Sequence, residues 1–131
     1  MTIGCVILAG GHENLLDGIR GLLQTIFETV VMVADKKSLF EAADKLKPQL
    51  AIVDLSLPVR GEINVAREVK SRYPDLKLII LSIHEEPGTV SEVMSAGASG
   101  FVLKGSIAND LLPAVGAALK GGTYISPSLE V

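Results

Sequence analysis

The chain has 131 residues, 48% of them hydrophobic and 21% charged, with a formal net charge of −3. That length suits one domain with a real core, and the composition excludes a disordered chain. The mildly acidic balance argues against a basic nucleic-acid-binding face, no apolar stretch reaches the roughly 18 residues of a membrane span, and the lone Cys5 cannot close an internal disulfide.

Ile3 to Ala9 reads as a strand. Leu15, Leu16, Ile19, Leu22, Leu23 and Ile26 then recur at spacings of three and four, which predicts one face of a helix. Val30 to Ala34 reads as a second strand. Leu39, Phe40, Ala43 and Leu46 mark a second helix, stopped before Pro48. Leu50 to Asp54 is almost continuously apolar until its last residue, the pattern of a strand buried on both faces. A loop with Pro58 and Gly61 leads to a helix carrying Ile63, Val65, Ala66 and Val69, ended around Tyr73 and Pro74. Lys77 to Ser82 is a fourth strand, and Val90, Val93 and Met94 mark a fourth helix with Gly97 as its stop. Gly100 to Leu103 is a fifth strand. Leu111, Leu112, Val115, Ala118 and Leu119 mark a fifth helix, ended by Gly121 and Gly122. Pro113 falls inside that last pattern, where it removes a hydrogen bond and crowds the preceding turn. The helix is therefore expected to start late, near Asn109 and Asp110, both good capping residues.

Five β-α units without an internal repeat predict an α/β fold, a doubly wound parallel sheet flanked by helices. One domain is expected over residues 1–123, with 124–131 as a tail or the start of a linker. Cys5 is expected as a small core residue, and the N-terminus lacks the basic region of a signal peptide, so a soluble cytoplasmic protein is the expectation.

Three polar residues close three of the apolar runs: Asp54, Ser82 and Lys104. Side chains at the carboxyl ends of parallel strands stand where an open α/β sheet places a site. A carboxylate, a hydroxyl and an ammonium there could accept, orient and neutralise a phosphoryl group. The first strand ends in Gly10 and Gly11 and brings no carboxylate to that place. No nucleophile-base pair or metal-ligand cluster suggests an independent enzyme. His12 and His84 read as loop or packing histidines, since no second His or Cys lies at metal-binding spacing.

Four stretches in this order, Lys47 to Pro58 (KPQLAIVDLSLP), Leu81 to His84 (LSIH), Ala96 to Lys104 (AGASGFVLK) and Gly121 to Pro127 (GGTYISP), are similar to the receiver domain of bacterial two-component response regulators. The chain most resembles receivers of the NarL/LuxR type, over nearly its whole length. The resemblance implies a flavodoxin-like five-stranded sheet of order 2-1-3-4-5. It implies Asp54 as phosphoacceptor, Ser82 and Lys104 as phosphate contacts, and Phe101 as the switch aromatic. It further implies Mg²⁺ held by Asp54 and the Ser56 backbone carbonyl. A sensor histidine kinase or other signalling protein and a second copy of the chain are the implied partners. DNA would be reached only through a helix-turn-helix domain that these residues do not include.

The departures from the family pattern bear on the chemistry. Receivers usually place two adjacent acidic residues after strand one to hold Mg²⁺; Gly10 and Gly11 stand there, followed by His12. Val59 to Glu62 is a looser version of the usual glycine-rich turn, and Gly105 follows the lysine. Mg²⁺ demands octahedral oxygen ligation, so weak binding or none is expected. Glu13 could serve from two positions further on, but is expected at a helix N-terminus, where its charge is favourable without a metal. Asp54 and Lys104 are then expected to form a persistent ion pair. The leading expectation is an atypical receiver acting through protein contacts, with weak or absent Mg²⁺-dependent phosphorylation. Its rivals are a conventional phosphorylatable receiver and a flavodoxin-like small-ligand binder using Gly10 and Gly11 to cradle an anion.

Overall fold

Each apolar run closes into a strand of one parallel sheet, and each amphipathic run into a helix laid against it. The computed structural model describes residues 3–10, 13–54, 62–82 and 87–127. In chain order these form β1 (Ile3–Ala9), α1 (Glu13–Leu23), β2 (Phe27–Val33), α2 (Lys36–Leu46), β3 (Leu50–Asp54), α3 (Glu62–Arg72), β4 (Lys77–Ser82), α4 (Pro87–Ser95), β5 (Gly100–Leu103), a 3-10 turn (Lys104–Ser106), α5 (Ile107–Leu119) and β6 (Tyr124–Ile125). Gly11, His12, Ser56 and His84 lie outside the described residues, as do the turn at 59–61 and the end of the tail at 128–131.

The sheet order is β2-β1-β3-β4-β5-β6, with every pairing parallel. Successive residues along a strand point to opposite faces, so continuous apolar runs serve two cores at once. Ile7, Val53, Ile80 and Phe101 pack with α2, α3 and α4. Leu8, Ile52, Leu81 and Val102 pack with α1 and α5 on the other side. All eight are fully buried. A doubly wound sheet covered on both faces follows from that pattern.

Local chemistry sets the helix ends. Asp35 caps α2, its Oδ1 accepting from the Ser38 backbone N–H at 2.7 Å. That bond holds the Asp35 carboxyl below its ordinary value. Lys47 ends the same helix in the left-handed region at φ 47°, with its N–H donating to the Ala43 carbonyl. Gly97, at φ 108°, turns the chain from α4 toward β5, where a Cβ would be strained. Between α2 and α3, Lys36 meets Glu68 at 2.8 Å. The Tyr73 hydroxyl donates to Asp44, while burial raises the Tyr73 phenol above its usual range.

Three expectations need correction. The second strand begins at Phe27 rather than Val30, and Ile26 belongs to the turn after α1. There, backbone N–H groups of Thr25 and Ile26 donate back to Leu22 and Leu23, tightening the helix end, and Phe27 enters the α1/α5 core. The fifth helix does not start late: it begins at Ile107 and contains Pro113. Its buried stripe, Ile107, Asp110, Leu111, Ala114, Val115 and Ala118, starts at the first turn, whereas Asn109 and Pro113 both face solvent. The carbonyl that Pro113 leaves without its helical donor is thus turned to water. Finally, the sheet has six strands rather than five. Tyr124 and Ile125, expected in a tail, pair with Gly100 and Phe101 along the edge of β5. Cys5 is half-buried in β1, and desolvation raises its thiol above the usual value.

Candidate functional site

The parallel register brings the three polar strand ends to one edge of the sheet. Asp54, the last residue of β3, lies beside Leu81 of β4, and Ser82 lies beside Leu103 of β5. Lys104 follows Leu103 directly and opens the 3-10 turn. Asp54 and Ser82 are fully buried. The Lys104 ammonium reaches back over the strand ends and contacts Asp54 Oδ1 at 2.5 Å; its side chain retains 13% exposure. The two charges therefore neutralise each other where water is nearly excluded. Such a pair holds only if its attraction offsets desolvation, and removing either partner strands the other.

Phe101 is fully buried on the α2/α3/α4 side, with Ile125 packed against the same cluster. A phenyl ring there contributes packing alone, having no hydroxyl to donate. At the end of β1, Gly10 is buried and its backbone N–H donates to the Val33 carbonyl at 3.0 Å. That N–H is already engaged in the sheet, which weakens Gly10 as half of an anion cradle.

Among the described residues, this edge offers Mg²⁺ a single strand-end carboxylate. The cation takes an oxygen-rich octahedral shell. Among the described residues, the carboxylate at the strand ends is Asp54, and an ammonium already sits on one of its oxygens. No group of three or more His, Cys, Asp or Glu among the described residues could hold a metal ion. Glu13 is the first residue of α1.

Three residues escaped sequence reasoning: Ser126, Tyr124 and Asp110. The fully buried Ser126 accepts, at its Oγ, the Leu103 backbone N–H at 3.0 Å. The Tyr124 hydroxyl donates to Asp110 Oδ1 at 2.9 Å. The faint signal available was the Tyr-Ile-Ser sequence after two glycines, short for a strand but alternating in the right sense. At the opposite pole, a surface cavity of about 410 Å³ is lined by residues including Asp44, Lys47, Tyr73 and Asp75. It lies at the amino ends of β3 and β4, away from Asp54.

Known proteins share this architecture. The family described as "Response regulator receiver domain" matches residues 6–116. The transcriptional regulatory protein DegU of Brevibacillus brevis is 31% identical over 126 residues, covering 95% of this chain and 53% of DegU. The chain thus spans about half the length of that relative. The isolated receiver domain of RcsB from Salmonella enterica serovar Typhimurium, solved with the phosphomimetic BeF₃⁻, superposes with a TM-score of 0.86 at 32% identity, covering 97% of this chain and 96% of that one. A structure of two RcsB dimers bound to two parallel DNAs matches with a TM-score of 0.84 at 30% identity, covering 97% of this chain and 66% of that one. No helix among the described residues is long and apolar enough to cross a membrane. With the sheet order, the three polar strand ends and a family match across most of its length, the chain belongs to the response regulator receiver domains of two-component signalling, among relatives of the NarL/LuxR type.

Proposed function

We propose that this domain is an atypical receiver that transmits its signal through protein contacts, with Mg²⁺-dependent phosphorylation of Asp54 weak or absent. The observation that supports this reading is the 2.5 Å contact between Lys104 Nζ and Asp54 Oδ1, beside a β1 end that carries Gly10 where the family resemblance implies a carboxylate. Phosphoryl transfer depends on positioning and on neutralising charge spread over the transferring oxygens. A bound metal supplies several kcal/mol of that stabilisation. Lys104 offers a single charge, and its resting position is on one oxygen of the Asp54 carboxylate. Asp54 keeps the family's acceptor position, Ser82 and Lys104 its phosphate contacts, and Phe101 its switch position. With two glycines at 10 and 11, the repulsion between carboxylates that would unsettle an empty receiver pocket is reduced.

A second reading is a conventional receiver, favoured by the retention of Asp54, Ser82 and Lys104 at one sheet edge. One experiment separates the two. The chain is incubated with a small acyl-phosphate donor and Mg²⁺, and intact mass is followed with Asp54→Asn as control. The atypical reading expects no more than a trace of adduct; a stoichiometric phosphoryl adduct, lost in Asp54→Asn, would establish the conventional one. Partners under either reading are a sensor kinase or other signalling protein in the cytoplasm and a second copy of the chain. DNA would be contacted by the portion of the relatives that these residues do not cover.

A further inference from the structure

Beyond α5 the chain doubles back beside the pocket, where hydrogen bonds to Ser99, Phe101, Asp110 and Leu103 hold Tyr124 and Ser126. The Tyr124 N–H donates to the Ser99 carbonyl at 2.9 Å, and the Ser126 N–H to the Phe101 carbonyl at 3.0 Å. The Tyr124 hydroxyl donates to Asp110, a buried carboxylate of α5, and Ser126 Oγ accepts from the Leu103 N–H. Lys104 comes next, its ammonium 2.5 Å from Asp54. One short segment, Leu103-Lys104, is therefore gripped from two sides, by the ion pair and by Ser126.

We propose that Ser126 is a positioning residue for Lys104, and that the Asp54–Lys104 pair in turn holds the strap Tyr124–Ser126 against β5. A change at Asp54 is then delivered to the residues after Ser126 as release of the strap. Coupling between two sites is reciprocal: if Ser126 stabilises the lysine's position, the lysine's contact stabilises the docked strap by the same amount. The strap suits this role. A two-residue strand has little stability of its own and belongs to the easily opened part of a fold. Its side chains alternate, Ile125 against the α2/α3/α4 core and Tyr124 against the α1/α5 core. Lifting it therefore unseats both faces together, which makes release a concerted step. The coupling runs through the ion pair and so stands whether or not Asp54 accepts a phosphoryl group.

Amide hydrogen exchange and side-chain NMR on the 131-residue chain test both halves. Lys104→Met and Asp54→Asn are expected to enlarge the local opening equilibrium of the Tyr124 and Ser126 amides about tenfold. Lys36→Met, which breaks the distant pair with Glu68, is expected to leave that opening unchanged. The Lys104 ammonium signal, slowed by its shielded contact, is expected to be lost in Ser126→Ala and restored in Ser126→Thr. Should Lys104→Met fail to fold, Asp54→Asn decides, since it keeps the side-chain shape. Strap opening unaltered by the pocket variants overturns the proposal. So does an equal response to Lys36→Met, or an ammonium signal indifferent to Ser126→Ala.

Discussion

Asp54 is held in an ion pair with Lys104 at the end of β3. It is fully buried, whereas Lys104 keeps a little access to water. Removing the cation takes away the ammonium that offsets desolvation of the buried carboxylate, and such losses run to about 3–5 kcal/mol. Lys104→Met is expected near the lower end, about 3 kcal/mol in urea unfolding, because the partial exposure at Lys104 lets some water reach the uncovered carboxylate. Asp54→Asn combined with Lys104→Met is expected to regain most of that loss, since neither charge is then stranded. Asp54, Ser82 and Lys104 were legible in the sequence because a polar residue ending an apolar run stands out against it. Ser126 and Asp110 were not. Their partners lie 23 and 14 residues away in the chain, and only the register of β6 on β5 brings them together.

At the level of elements, α5 shows where local rules and tertiary packing disagree. Capping chemistry favours a start at Asn109 or Asp110, but burial of Ile107 draws the first turn back toward the strand. Pro113 is then interior and its missing donor faces water, which softens a penalty that can reach about 3 kcal/mol. Pro113→Ala is expected to raise stability by about 1 kcal/mol, the recovered hydrogen bond outweighing the freer unfolded chain; thermal unfolding measures it. Period alone misjudged the α1–β2 junction for a related reason, since Ile26 fits the helical spacing yet takes part in the closing turn. The central strands were readable to the residue because β3 and β4 are buried on both sides. β6 was unreadable as a strand because two half-buried residues make no periodic pattern.

The whole molecule is two cores sharing one sheet. Ile79 belongs to the α1/α5 core and its neighbour Ile80 to the α2/α3/α4 core. Each is fully buried, so Ile79→Ala and Ile80→Ala are each expected to cost about 2–5 kcal/mol. Because both cores hang on the same strands, either substitution is expected to shift one common transition rather than split it. Coincident far-ultraviolet dichroism and tyrosine fluorescence curves would check this, Tyr73 reporting one side and Tyr124 the other.

The sheet's opposite end carries a different consequence. β2 closes it with Phe27-Glu28-Thr29-Val30-Val31-Met32-Val33, in which Glu28 is the sole charge. An outermost strand offers one row of backbone donors and acceptors to any passing chain, and this sequence is rich in β-branched residues with no proline to interrupt it. Glu28 and Thr29, both exposed, are the polar residues of that strand. Neutralising Glu28 in concentrated solution would remove the gatekeeper and invite edge-to-edge fibre growth from the margin farthest from the strap.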